Sequence, residues 1–292
     1  MDIGWMLRPE IVLAALLTLA PLFLFGFLEE AVARGVRSLP LCAQLAAPAL
    51  LCAPYVLVAA GTGVFRWTWL AVYALLPAAL AVLLRLGRRH GNGWIELLAL
   101  AALGLSVDLR WLERAWPAHL AIFNKMLLLD ASLYAFLVVR QLDGVGFDLR
   151  LRLRDAIIGL RELAAYTPLA LALGLSLGFL HLHGGWPGMA RIVVGWLFTF
   201  FFIAVPEEVF FRGWLQNLLE RRLGARGALL VTALLFGLAH FNKRAVHFNW
   251  RYVLLAALAG VFYGRAWRQQ RRVAASAITH ASVDTIWSLW LR

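Results

Sequence analysis

A succession of apolar runs, most of them long enough to span the hydrocarbon core of a bilayer, fills this 292-residue chain from end to end. Hydrocarbon offers no water to backbone N–H and C=O groups, so a spanning segment must be a helix or belong to a closed barrel. The short alternating stretches that mark a barrel are absent, and a spanning helix needs about 20 residues. Spans are expected near residues 11–27, 41–60, 67–84, 94–107 and 118–139, then 165–181, 190–211, 227–241, 250–267 and 273–291. The predicted fold class is all-α, a polytopic integral membrane helix bundle of about 8–10 transmembrane helices. Composition agrees: 62% of residues are hydrophobic and 15% charged, where a soluble domain is about half apolar and a quarter charged.

The net charge of +12 resides almost wholly in arginine, because Lys125 and Lys243 are the only lysines. In a soluble protein this excess would suggest nucleic acid. Here the arginines cluster between apolar runs, where they serve as topology signals and lipid-headgroup contacts. The expected partner is therefore the lipid bilayer and not nucleic acid. With ten alternating spans, 18 of the 28 basic residues fall in one set of loops, which the positive-inside rule makes cytoplasmic, with both termini outside. Cys42 and Cys52 share one apolar run and read as inert packing rather than a disulfide framework. The first run lacks a basic start and a clear cleavage site and is read as a retained helix.

Between Arg140 and Glu162 the sequence turns polar, glycine-punctuated and then basic and amphipathic. It reads as an interfacial helix lying on the membrane or as a cytoplasmic loop, and it is the best boundary in the chain. Glu96, Lys125 and Asp130 interrupt earlier spans, either as a polar cluster or as helix-end positions with snorkelling side chains.

Chemistry concentrates later. In the stretch 196–212, WLFTFFFIAVPEEVFFR, two adjacent carboxylates interrupt a strongly apolar run, and a charge in hydrocarbon costs several kcal/mol unless it is paired. Read as one helix, Glu208 and Arg212 share a face at i, i+4, while Glu207 points about 100° away. Arg212 can neutralise Glu208 and leave Glu207 to face something else. Pro206 removes a helical hydrogen bond just before the pair and favours a kink. Solvated helix-end charges are the plain alternative.

Further polar residues follow inside apolar helices: His240, and His280 with Asp284 at i, i+4. From Glu207 to a turn at Gly224 is 17 residues, and from Gly224 to His240 is 16. At a rise of roughly 1.5 Å per residue the two side chains return to one level across an antiparallel hairpin. His280 reaches that level if the polar piece from Gln216 to Arg222 projects beyond the membrane. Two histidines and three carboxylates in four consecutive spans are most economically satisfied by one another in a water-filled pocket. Gly260 and Gly264 form a GxxxG that permits close helix approach. The set offers a carboxylate general base and imidazoles to orient water or stabilise an oxyanion. Neighbours one and two residues from His280, such as Thr279 and Ser282, point elsewhere on a helix, so water attack on an amide is the natural reaction class. A second option is zinc held by two His and a carboxylate, although the HExxH signature is absent.

EEVFFR at 207–212, FGLAH at 236–240, the glycines at 260 and 264, and HASVD at 280–284 resemble the EExxxR, FxxxH, GxxxG and HxxxN/D motifs of the CAAX protease and bacteriocin-processing (CPBP, ABI) family of glutamic intramembrane proteases. The resemblance covers roughly residues 155–292. It implies an all-helical membrane fold and an endopeptidase that cuts near the C-terminal end or membrane anchor of a substrate protein or peptide. Glu207 would be the general base that activates water with His240. Glu208 and Arg212 would be the supporting pair beside Phe236, and His280 and Asp284 would stabilise the oxyanion. Asp284 stands where prenyl-protein proteases commonly have Asn. An ionised carboxylate cannot donate to an oxyanion, so Asp284 must be protonated, orient His280 or bind a metal.

On this reading residues 151–292 form the protease core and residues 1–150 an N-terminal transmembrane extension of unassigned role. The extra spans resemble those of bacterial members that process sorting signals at the inner membrane, which favours such substrates over prenylated CAAX proteins. No cofactor is expected, with a zinc-dependent variant as the alternative. A non-catalytic binding or immunity protein that keeps the cluster as a fold-specifying network is the other competing reading. A proton- or ion-relaying transporter is weakened by the lack of an internal repeat.

Overall fold

The computed structural model describes residues 8–91, 93–243 and 247–291. Its regular structure is helical, with no strand among the described residues. The chain forms two compact units, Met1–Asp143 and Gly144–Arg292.

The first unit runs α1 (Pro9–Arg37), α2 (Leu41–Gly61), α3 (Trp67–His90), α4 (Trp94–Asp108) and α5 (Ala118–Arg140). Of these, α4 has only 15 residues, short of the about 20 that a span perpendicular to the membrane needs. The rings of Tyr55, Tyr73, Trp116 and Phe123 pack together at 5.3–5.7 Å. Trp116 Nε1 donates to the Tyr73 hydroxyl at 2.6 Å, and that hydroxyl donates to Asn124 Oδ1 at 2.8 Å, so the aromatic core keeps its polar atoms satisfied. Glu96 turns inward from the first turn of α4 and pairs with Arg140. Asp130 lies fully buried on α5, with neither carboxylate oxygen hydrogen-bonded among the described residues.

The second unit begins with α6 (Leu153–Ser176). The segment divides between the two expectations: residues 141–152 form a loop, and from Leu153 the chain is no separate interfacial helix but the first turns of α6 itself. Its charges explain how. The Arg152 N–H donates to Asp155 Oδ2 at 3.0 Å, which caps the helix, and buried Asp155 receives Arg272 Nε at 2.8 Å. Pairing lets a polar sequence continue directly into an apolar helix.

A helical run of 50 residues, Met189–Leu238, is broken at Gly224 (φ 66°, ψ 173°), a conformation that glycine adopts without a Cβ penalty. Two arms result, α7 (189–223) and α8 (225–238). The rings of Phe211 and Phe236 lie 5.0 Å apart, whereas a straight helix would separate them by about 37 Å, so the arms fold back as a hairpin. Then come α9 (Trp250–Gln270) and α10 (Val273–Trp290).

Among the described residues six stretches are long and apolar enough to cross a membrane: α1, α2, α3, α5, α6 and the run Met189–Leu238, which folds as a hairpin. The chain is thus a multi-pass membrane helix bundle, as expected. Helices α9 and α10 form where spans were expected, but arginines dilute the first and His280, Asp284 and hydroxyl side chains dilute the second.

Candidate active site

Helix α7 is irregular where it carries its acids. Pro206 has no N–H to give the preceding turn, and π-helical segments Phe200–Ala204 and Val209–Gln216 flank Val205–Glu208. The expected kink takes the form of these widened turns, which are frequent at functional positions.

Glu208 and Arg212 are fully buried, with Nε 3.1 Å from Oε2. Arg212 Nη2 also donates to the Gly260 carbonyl at 3.3 Å, and its guanidinium lies 5.1 Å over the Phe236 ring. The other Glu208 oxygen, Oε1, is 2.9 Å from His280 Nδ1. A carboxylate only accepts, so Nδ1 carries the hydrogen. Glu207 keeps 13% of its side chain exposed and holds Oε2 3.9 Å from His280 Nε2. Asp284, one turn along α10, brings Oδ2 to 3.6 Å from the same nitrogen. Three carboxylates therefore surround one imidazole, whose ring stacks on Tyr263 at 4.6 Å.

His240 closes the end of α8. Its Nδ1 lies 2.8 Å from the Phe236 carbonyl, an acceptor, so Nδ1 donates. Its ring is 5.0 Å from Phe236 and 4.8 Å from Tyr252, within electrostatic reach of Glu207 and Asp284. Phe236 is the common wall: its ring also touches those of Phe211, Tyr263 and His280 at 5.0–5.6 Å.

A cavity of ≈ 80 Å³ opens beside the histidines. Leu163, Ala170 and Leu171 of α6, Leu255 and Ala259 of α9, and Val283 and Trp287 of α10 make its apolar walls, while His240, His280, Asp284, Tyr166 and Tyr263 supply polar groups. The glycine pair sits behind it. A Cβ at Gly260 would lie 3.0 Å from Ala233 Cα, and one at Gly264 would lie 2.6 Å from Gln216 Oε1.

All the candidate residues thus gather in the second unit. The hydroxyls of Ser276, Thr279 and Ser282 are engaged elsewhere, with the Val273 carbonyl, the Gly159 carbonyl and Trp196 Nε1. Sequence reasoning missed the tyrosines: Tyr263 could have been suspected from its place inside the glycine pair, but nothing singles out Tyr166 or Tyr252. It also missed that Glu208 serves His280 as well as Arg212. Among the described residues no group of three or more His, Cys, Asp or Glu side chains is arranged to hold a metal ion.

The family model described as type II CAAX prenyl endopeptidase Rce1-like aligns with residues 189–286, a segment that contains all four motifs and ends just past Asp284. No curated protein and no solved structure matches the chain. Residues 189–286 are thus similar to the Rce1-like domain of the CPBP family of membrane proteases.

Proposed function

We propose that this protein is an intramembrane endopeptidase of the glutamic type, which cuts a peptide bond near the C-terminal end or membrane anchor of its substrate. The observation that carries the reading is the fixed imidazole of His280, held by Glu208 beside the exposed carboxylate of Glu207, at the head of an apolar-walled cavity that His240 also lines. Glu207 takes a proton from the attacking water and delivers it to the leaving amine. With Nδ1 committed to the Phe236 carbonyl, His240 offers Nε2 as an acceptor that orients this water. His280 presents Nε2 to the developing oxyanion. Asp284 faces His280 and accepts, so its role is to orient the imidazole rather than to donate to the oxyanion.

The cavity suits an apolar segment of a membrane-anchored substrate. C-terminal sorting signals in a bacterial inner membrane are the favoured class, and the description of the matching family favours prenylated CAAX proteins as the second. The arginine-rich end of the second unit is assigned to the cytoplasm.

The test is incubation of the purified protein in detergent with membrane-anchor peptides and prenylated peptides, with and without a strong chelator, read by mass spectrometry. Products that survive chelation and vanish in Glu207→Gln support the glutamic reading. Activity lost to chelator and restored by zinc would replace it, and retained cleavage in Glu207→Gln would sink it.

A further inference from the structure

Hydrolysis inside a helix bundle consumes water at a place that hydrocarbon keeps dry, and the apolar walls of the cavity offer water little. The other side of α7 is different. From Glu208 the same helix face continues in four-residue steps with Arg212, Gln216 and Glu220. The first three are fully buried. Glu220 ends the row at the arginine-rich end of the unit, where it pairs with Arg268 at 3.4 Å and with Arg271.

Polar atoms along this row lack protein partners. Among the described residues both polar atoms of the Gln216 amide, Nη1 of Arg212 and Oγ1 of buried Thr232 make no hydrogen bond. Thr232 is fully buried on α8, the helix whose Leu229 and Ala233 meet α9. Buried polar groups in proteins are hydrogen-bonded, to ordered water where not to protein. The glycine pair follows the same spacing: the Gly260 carbonyl takes Arg212, and Gly264 stands against Gln216 Oε1. Gly264 thus admits the Gln216 amide between α7 and α9, while Gly260 admits the α8 backbone at Ala233 and offers Arg212 its carbonyl.

We propose that Glu208, Arg212, Gln216 and Glu220 mark a hydrated path through the bundle, about 18 Å long at the helical rise, that brings water from the arginine-rich end to Glu207, with Gln216 at its midpoint. Its purpose rests on the proteolytic reading; its hydration does not. Gln216 acts through the water it holds and is a positioning residue, not a catalytic one.

Radiolytic hydroxyl-radical labelling, which oxidises side chains beside ordered water, tests hydration without any substrate. In the purified full chain, buried Leu229 next to Gln216 oxidises several-fold faster than Leu103, buried to a similar degree in the first unit, and falls to the Leu103 rate in Gln216→Leu. Equal rates in the wild type overturn the path. Turnover is the second readout: Gln216→Leu lowers kcat with KM and Tm held, and Gln216→Ser, which leaves room for water and a hydroxyl to bind it, restores most of the rate. A Gln216→Leu protein that turns over at the wild-type rate overturns water delivery. Fast Leu229 labelling in a protein that cleaves nothing supports the path and counts against the protease reading instead.

Discussion

Glu208 Oε1 meets His280 Nδ1 at 2.9 Å across 72 residues of sequence, while its other oxygen holds Arg212 at 3.1 Å. One buried carboxylate thereby ties the kinked helix α7 to the last helix of the bundle and fixes which nitrogen of His280 is free for chemistry.

Removing that carboxylate leaves two groups stranded. Glu208→Ala uncovers the fully buried Arg212 guanidinium, and an unpaired buried charge destabilises by about 3–5 kcal/mol. The double variant Glu208→Ala with Arg212→Met removes the stranded charge and recovers part of the loss. Thermal unfolding in detergent measures both, and strictly additive losses would show that the two side chains do not act as a pair.

Glu207 is predicted to behave in the opposite way. It remains partly exposed and sits 3.9 Å from His280, so Glu207→Gln keeps shape and Tm while cleavage falls on the order of 10²–10⁴-fold, the usual contribution of a general base. A Tm drop equal to that of Glu208→Ala would instead make Glu207 structural.

How far these relationships were legible depends on their range. The Glu208–Arg212 pair follows from four-residue spacing on a single helix, and the level shared by Glu207 and His240 follows from equal arms about Gly224. The Glu208–His280 bond does not, since no local period links α7 to α10. Neither does the stacking of Tyr263 on His280, because an aromatic on a buried helix looks the same whether it packs a core or an imidazole. The first turns of α6 misled for a different reason. Composition marks the stretch between Arg140 and Glu162 as an interfacial helix or a loop, but Asp155 and Arg272, 117 residues apart, neutralise each other where α6 begins and let its polar first turns join the bundle. Helices α9 and α10 lie where spans were expected, but the partners against which they bury polar residues are not revealed by sequence alone.

Gly260 leaves no space for a side chain. A Cβ there would stand 3.0 Å from the backbone Cα of Ala233, which cannot rotate away, and the helix shift needed would also stretch the Arg212 bond to the Gly260 carbonyl. Gly260→Ala is expected to cost about 1–3 kcal/mol, the range for overpacking, and to lower kcat by moving Arg212 and with it Glu208. Unchanged Tm and kcat would show that α8 and α9 part freely at this point.

Acid sensitivity should arise outside the spans, at Asp148. Burial raises the pKa of its carboxyl, but hydrogen bonds from Arg272 and from Arg150 outweigh that and hold it below its usual value of 3.8. A carboxyl whose folded pKa is depressed binds fewer protons in the folded state than in the unfolded one. Its stabilising contribution is therefore complete above the unfolded pKa and is lost as pH falls through the folded one. Asp148→Asn is expected to lower Tm at neutral pH by weakening the hold on Arg272 at 2.9 Å, the residue that also anchors Asp155 at the start of α6. The gap between wild type and variant should narrow as pH falls below about 4, where the wild type loses the same charge. Unfolding scans of both proteins across that range measure it. A gap that stays constant down to the acid end would show that Asp148 contributes by its hydrogen-bonding shape and not by its charge.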